Sequence, residues 1–247
     1  GVLREKYLLH LYYGKRISAY PDFMAHLPIH AGTTWMGMDL PGLDYSTEAL
    51  PMEYPTYGSA DLRTPAFHAE YETGSAVTRL TYCGYAIYPG KKPLNGLPAT
   101  YVENDSEADT LEITLVDPLT GLKIILSYSV FEDYDVITKS VRAVNESVQP
   151  IDVQSILSST TYLFDKNYEF VHLTGAWARE RHIQKQPLMN GTMQIDSKRV
   201  ASGHIHSPFL ALARPWATEN QGEVYGYRFV YSSNFIMQAE TNQQNLV

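Results

Sequence analysis

The sequence predicts an all-β protein, built as a large β-sandwich with few or no helices. Three observations carry this. No window places apolar residues at i, i+3, i+4 and i+7, the spacing that an amphipathic helix needs. Short alternating runs recur instead, with turn-forming residues between them, as in a sandwich. The 247 residues include 19 Tyr, eight Phe and three Trp, and aromatic side chains favour a pleated, half-buried surface.

The strands follow in order. Residues 67–72 and 77–88 alternate and are joined through Thr73-Gly74-Ser75, which predicts a hairpin. Residues 110–116 alternate up to Asp117-Pro118-Leu119-Thr120-Gly121, a turn with Pro early and Gly late. Residues 122–131 return, which makes a second hairpin. Residues 136–144 and 151–162 read as a third pair across Asn145-Glu146-Ser147-Val148-Gln149-Pro150. Residues 224–231 and 235–241 read as a fourth, joined through Ser232-Ser233-Asn234. No repeat and no Pro/Gly/Ser-rich linker divides the chain, so residues 1–247 are expected to form one domain.

The stretch between Pro21 and Pro65 is different. It holds Pro21, Pro28, Pro41, Pro51, Pro55 and Pro65, with Gly32, Gly37, Gly42 and Gly58. A loop of this length in a compact domain is usually functional or disordered. Trp35, Met36, Met38, Leu40, Leu43 and Leu50 make it too apolar for disorder, so it is expected to dock on its own sheet or on another subunit.

Composition excludes several classes. The net charge of −8 argues against nucleic acid, where clustered Lys and Arg would neutralise phosphates. No run of eighteen apolar residues predicts a membrane helix. A single cysteine, Cys83, excludes a disulfide framework and any multi-thiolate metal site. It lies among Tyr82, Tyr85 and Tyr88, which predicts a buried, inert thiol. Low cysteine content and the lack of a signal peptide suit a cytoplasmic location. No Gly-rich phosphate loop follows a strand and opens a helix, so no nucleotide cofactor is expected.

One run stands out: His172-Leu173-Thr174-Gly175-Ala176-Trp177-Ala178-Arg179-Glu180-Arg181-His182. A solvent-facing strand would alternate apolar and polar residues. Here Trp177, Arg179, Glu180 and Arg181 gather around a glycine that breaks the pattern, which suggests an aromatic and ion-paired surface. A plain Arg-Glu-Arg patch on a wet sheet face is the alternative. His204-Ile205-His206 places two imidazoles on one strand face, but no third ligand follows by spacing, so hydrogen-bonded structural histidines and no metal are expected. Asp61 and Arg63 lie on one side of an extended segment and can brace the loop or meet a partner.

This run, together with Leu9-His10-Leu11-Tyr12-Tyr13-Gly14-Lys15, Glu53-Tyr54-Pro55-Thr56-Tyr57-Gly58, Asp61-Leu62-Arg63-Thr64-Pro65-Ala66, Leu94-Asn95-Gly96-Leu97-Pro98-Ala99-Thr100-Tyr101-Val102, Val136-Ile137-Thr138-Lys139-Ser140, Ser202-Gly203-His204-Ile205-His206-Ser207-Pro208-Phe209 and Gly222-Glu223-Val224-Tyr225-Gly226, resembles the N-terminal domain of family 36 glycoside hydrolases, the bacterial α-galactosidases. The resemblance implies a β-supersandwich of the galactose-mutarotase-like class, followed in the parent by a catalytic (β/α)8 barrel that is absent here. It implies a retaining enzyme acting on terminal α-galactosides of the melibiose and raffinose type, with no cofactor. It implies partners of three kinds: the galactoside, the chain's own barrel, and further copies in a homo-oligomer, a tetramer in the full-length enzyme. No nucleic acid or membrane partner is expected. The chain stops at Gln243-Gln244-Asn245-Leu246-Val247 without a terminating signal, so it reads as cut short at its C-terminal end.

Retaining hydrolysis needs two carboxylates about 5 Å apart. Glu53, Asp61, Glu103 and Glu180 sit near aromatic or Pro-Gly loops, and capping, turn or ion-pair roles are expected for them. The family's catalytic pair lies on its barrel, so none is expected in this chain. The family's N-terminal loop can reach a sugar site and often carries an Asp-Arg pair there; His30-Ala31 stands in its place. Trp35 by stacking, and Asp39 or Asp44 by accepting sugar hydroxyls, are the remaining candidates with His30, while Trp35 as a plain anchor of the loop is the alternative. A stand-alone carbohydrate-binding module using Trp35, Trp177 or Trp216 stays open beside the enzyme-domain reading.

Overall fold

The structure is a computed structural model that describes residues 1–3, 6–18, 50–58, 63–242 and 245–247. The described residues are β-strands and loops with two short 3₁₀ turns, as the alternation predicts. They divide into two compact units.

Unit 1 comprises residues 1–92 and 101–162. Strands β1 (Val2–Leu3) and β2 (Tyr7–Leu8) pair with each other. Strands β3 (Phe67–Tyr71) and β8 (Ile151–Ile156) form a second antiparallel pair. Strands β4 (Thr81–Pro89), β5 (Asp109–Val116), β6 (Leu122–Phe131) and β7 (Val136–Asn145) make an antiparallel meander in chain order. The β5–β6 hairpin closes at the expected turn. Asp117 Oδ1 accepts from the Leu119 amide at 2.9 Å and Oδ2 from the Arg79 amide at 2.9 Å. Gly121 has φ +70° there, the left-handed region that favours glycine. Along β6 the side chains alternate, so Leu122, Ile124 and Leu126 all face inward. They meet Tyr54, Ala66, Phe67, Ala69 and Leu115 in one core. Each large side chain fully buried there contributes about 1.5–3 kcal/mol.

Unit 2 comprises residues 93–100 and 163–247. Strands β9 (Glu169–Ala176), β10 (Arg179–Pro187), β12 (His206–Ala213) and β13 (Val224–Arg228) form a sheet in the order β10-β9-β12-β13. Strands β11 (Gly191–Ser197) and β14 (Phe235–Thr241) form a separate antiparallel pair. Leu210 to Ala213 of β12 are buried in succession, the mark of a strand covered on both faces. By contrast, every residue of β10 is exposed, and β10 forms one edge of its sheet.

Three of the four expected hairpins pair differently. Strand β3 pairs with β8 instead of β4. After the turn closed by the Tyr71 amide on the Ser75 carbonyl, the chain is captured elsewhere: the Thr78 amide bonds the Tyr57 carbonyl, and the Thr56 hydroxyl donates to the Thr78 carbonyl at 2.6 Å. Strand β8 leaves β7 because Asn145 builds a wide turn of its own. Its Nδ2 donates to the Gln149 carbonyl at 2.7 Å and its Oδ1 accepts from the Ser147 amide at 2.9 Å. Strand β14 pairs with β11, a strand the sequence reading did not single out. Cys83 is exposed, contrary to expectation. It falls where the β4–β5 register shifts between Tyr82 and Gly84, on an edge strand, and the shift breaks the face assignment that alternation implied.

Candidate functional site

His30, Trp35, Asp39, Asp44 and Asp61 lie outside the described residues. Of the expected structural or interface residues, Arg63 stacks its guanidinium on the Tyr162 ring at 4.5 Å. The other four, Trp177, Arg179, Glu180 and Arg181, sit together at the β9–β10 turn.

That turn is built by short-range chemistry. Trp177 and Ala178 connect the strands, and Ala178 has φ +63°. Glu180 Oε1 accepts from the Ala178 amide at 2.9 Å. Hydrogen bonds from its own amide and from that of Ala178 hold the Glu180 carboxyl below its usual range. The carboxylate therefore fastens the turn backbone, the turn role among those expected for it, and the charge of Arg181 acts on it as a smaller influence. A bulge between Arg179 and His182 puts one extra residue on β10, with Arg181 at φ +60°. The bulge brings the Arg179 carbonyl to 2.4 Å from where a Cβ on Gly175 would stand. This explains the glycine that interrupts the run. Gly175→Ala is expected to force the two strands apart, at a cost of about 1–3 kcal/mol. A lowered urea midpoint with an unchanged slope checks this, and an unchanged midpoint contradicts it. At the tip Trp177 is 86 % exposed, and Ile183 further along β10 is 64 % exposed.

Unit 1 holds a buried polar network around Glu53. Its Oε2 lies 2.6 Å from His10 Nδ1, and Tyr128 donates its hydroxyl to Oε1 at 2.8 Å. Lys139 Nζ lies 3.8 Å from Oε1 and donates to the Thr160 carbonyl at 2.7 Å. The Thr160 hydroxyl in turn donates to the Glu53 carbonyl. Burial pushes the Glu53 carboxyl up, but the hydrogen bond and charge of His10, the charge of Lys139 and the Tyr128 hydroxyl together hold it below its usual range. Burial pushes Lys139 down against the pull of Glu53. The cleft beside the network leaves about 10 Å³ for the centre of a water molecule, room for about one water and none for a sugar ring. Glu53 is thus an ion-pair and positioning group.

Unit 2 carries a second cluster that the sequence reading missed. Arg214 forks onto Asp165, with Nη1 to Oδ1 at 2.6 Å and Nη2 to Oδ2 at 3.0 Å. Its Nε donates to Glu223 at 3.1 Å, and its plane lies 3.9 Å over Tyr168. The Arg214 hydrogen bonds hold the Asp165 carboxyl below its usual range, and burial pushes the Tyr168 phenol up. Trp216, 59 % exposed, flanks the guanidinium at 5.9 Å. Arg214-Pro215-Trp216 near Glu223 was the available signal, but Asp165 and Tyr168 join only through the fold.

Residues 6–247 match the model of the glycosyl hydrolase family 36 N-terminal domain. The chain is 42 % identical over 242 residues to the α-galactosidase AgaA of Geobacillus stearothermophilus, covering 98 % of this chain and 33 % of that protein. It is 36 % identical over 242 residues to the bifunctional α-galactosidase/sucrose kinase AgaSK of Mediterraneibacter gnavus, covering 97 % of this chain and 26 % of that protein. The solved structure of a Geobacillus AgaA variant in complex with raffinose superposes with a TM-score of 0.94 at 42 % identity, over 100 % of this chain and 34 % of that one. A further AgaA variant, in complex with stachyose, superposes with a TM-score of 0.92 at 41 % identity, over 100 % of this chain and 34 % of that one. The chain thus spans between about a quarter and a third of the length of these relatives.

Proposed function

Because this chain belongs to the glycosyl hydrolase family 36 N-terminal domain family, we propose that it is the N-terminal β-supersandwich of a cytoplasmic, retaining α-galactosidase that hydrolyses terminal α-galactosides of the melibiose and raffinose type. The observation that carries the proposal is the match to the N-terminal domain model together with 42 % identity to an enzyme named α-galactosidase, over 98 % of this chain and 33 % of that protein. The domain supports the catalytic barrel, builds the oligomer and shapes the rim of the sugar site. Rigid support is worth having in such an enzyme, because small misplacements of reacting groups are costly. His30, Trp35, Asp39 and Asp44 are the residues proposed to reach the rim. Asp61, Arg63, Trp177, Arg179, Glu180 and Arg181 are proposed to brace the domain or meet a partner, and the 86 % exposure of Trp177 on a bare edge hairpin supports the interface role.

The test is hydrolysis of p-nitrophenyl α-galactoside by the 247-residue chain beside the full-length protein. Turnover only in the full-length protein is expected. Turnover by the chain alone would place the chemistry within these residues and overturn the supporting role. The exposed indoles Trp177 and Trp216 favour a second reading, a stand-alone carbohydrate-binding module. A full-length protein that binds raffinose without cleaving any α-galactoside would favour that reading.

A further inference from the structure

Strand pairing in unit 2 brings together two histidines that are 34 positions apart in the chain. His172 of β9 and His206 of β12 contact each other with ring centroids 5.6 Å apart and planes at 52°. Phe170 lies edge-on to His172 at 5.7 Å and closes one side. His172 is only 9 % exposed. In both rings Nδ1 is buried and has no hydrogen-bond partner. The hydrogen bond expected for a structural histidine is not seen at the His206 Nδ1. Buried polar atoms are almost always paired, with protein, ordered water or a ligand, so two unpartnered nitrogens in touching rings make this the place to look for a bound ion.

The chemistry of the pair selects the ligand. Burial, and next the neighbouring His206, push the His172 pKa down, which favours the uncharged ring. Neutral imidazole suits zinc, copper and nickel, whereas calcium and magnesium prefer oxygen. Two imidazoles bonded to one ion at about 2.0–2.1 Å hold their ring centres roughly 5–6 Å apart, which the observed spacing matches.

The sheet register supplies a third imidazole. Thr174 of β9 pairs with His206 on one side and with His182 of β10 on the other. Cross-strand partners share a face, and His172, two residues from Thr174, shares it as well. His182 is exposed at the open edge. Among the described residues no three such side chains already stand as a ligand set, so His182 joins by a change of rotamer. His204 does not belong: β12 begins at His206, and His204 lies exposed in the bend ahead of it.

We infer that His172 and His206 form a preformed half-site for one divalent transition-metal ion of the zinc class, with His182 closing it from the sheet edge. The test is titration of the full-length protein with Co²⁺, read by its ligand-field absorption, and with Zn²⁺ by calorimetry. A saturable site is expected, weakened at least about tenfold by His172→Gln, by His206→Gln and by His182→Gln, and left unchanged by His204→Gln. Circular dichroism of each metal-free variant separates a lost ligand from a lost fold, and the exposed His182 can be changed without disturbing the core. No saturable signal in the unaltered protein overturns the inference. Binding that survives any one of the three changes at full strength also overturns it.

Discussion

Glu53→Ala is expected to lower the stability of unit 1 by about 3–5 kcal/mol, because it leaves a buried charge without its counter-ion. The Lys139 side chain is 13 % exposed and that of His10 is 6 % exposed. Neither can recover in water what it loses with the carboxylate. The Tyr128 hydroxyl loses its acceptor at the same time. Removing both charges tells a different story. A Glu53→Leu, Lys139→Met double change is expected to cost much less than the single one, since a buried pair replaced by packed apolar groups is often close to neutral. Urea midpoints of Glu53→Leu, of Lys139→Met and of the double variant close the cycle. Additive losses would show that Glu53 and Lys139 act independently and would remove the network from the account. The pH dependence has a fixed sign. The folded carboxyl titrates below its ordinary value of 4.5, so its contribution is present above that pH and is lost as pH falls through the folded value. The unaltered chain should therefore lose stability below about pH 4.5 more steeply than Glu53→Gln, which has no proton to take up there.

The network also marks where sequence reasoning works and where it stops. Glu53 was legible as a structural carboxylate because Pro and aromatic residues surround it. Its partners were not, since His10, Tyr128 and Lys139 are 43, 75 and 86 positions away. The same division runs through the fold. The β5–β6 hairpin was legible down to its turn, because Asp117 and Gly121 satisfy that turn locally. The pairings of β3 with β8 and of β11 with β14 were not, because turn residues report that a chain reverses and say nothing of which strand it joins. Asn145 shows why: its side chain completes a turn that looks like a hairpin loop but delivers β8 to another sheet, where it pairs with β3. In the hairpin of Trp177 the oddity of Gly175 was visible in the sequence. Its cause, the Arg179 carbonyl brought close by a bulge, needed the register. The histidine pair likewise depends on β9 and β12 lying side by side. His204 and His206 were grouped by spacing, whereas the sheet groups His206 with His172.

Phe67→Ala is the other change expected to have a large effect, about 3–5 kcal/mol, the range for deleting a buried phenyl ring. Phe67 is fully buried and packs among Tyr54, Leu115, Leu122, Ile124 and Leu126. Its backbone is fixed on two sides, by the β8 partner Ile156 and by the hydrogen bond from the Tyr57 amide to its carbonyl at 3.0 Å. The strand therefore cannot slide inward to fill the space, and a site that cannot collapse retains its cavity. With whole-domain stabilities of about 5–15 kcal/mol, such a loss consumes a large share of the total. Phe67→Leu should cost clearly less, since most of the volume stays. Tyr57→Ala provides the contrast at a neighbouring position. Tyr57 is 47 % exposed and its ring stacks on His68 at 4.3 Å, so its removal strips a surface contact and opens no cavity. Its midpoint in urea should move by only a fraction of the Phe67→Ala shift. Equal shifts for the two changes would mean that the core in unit 1 is organised around something other than the inward face of β3 and β6.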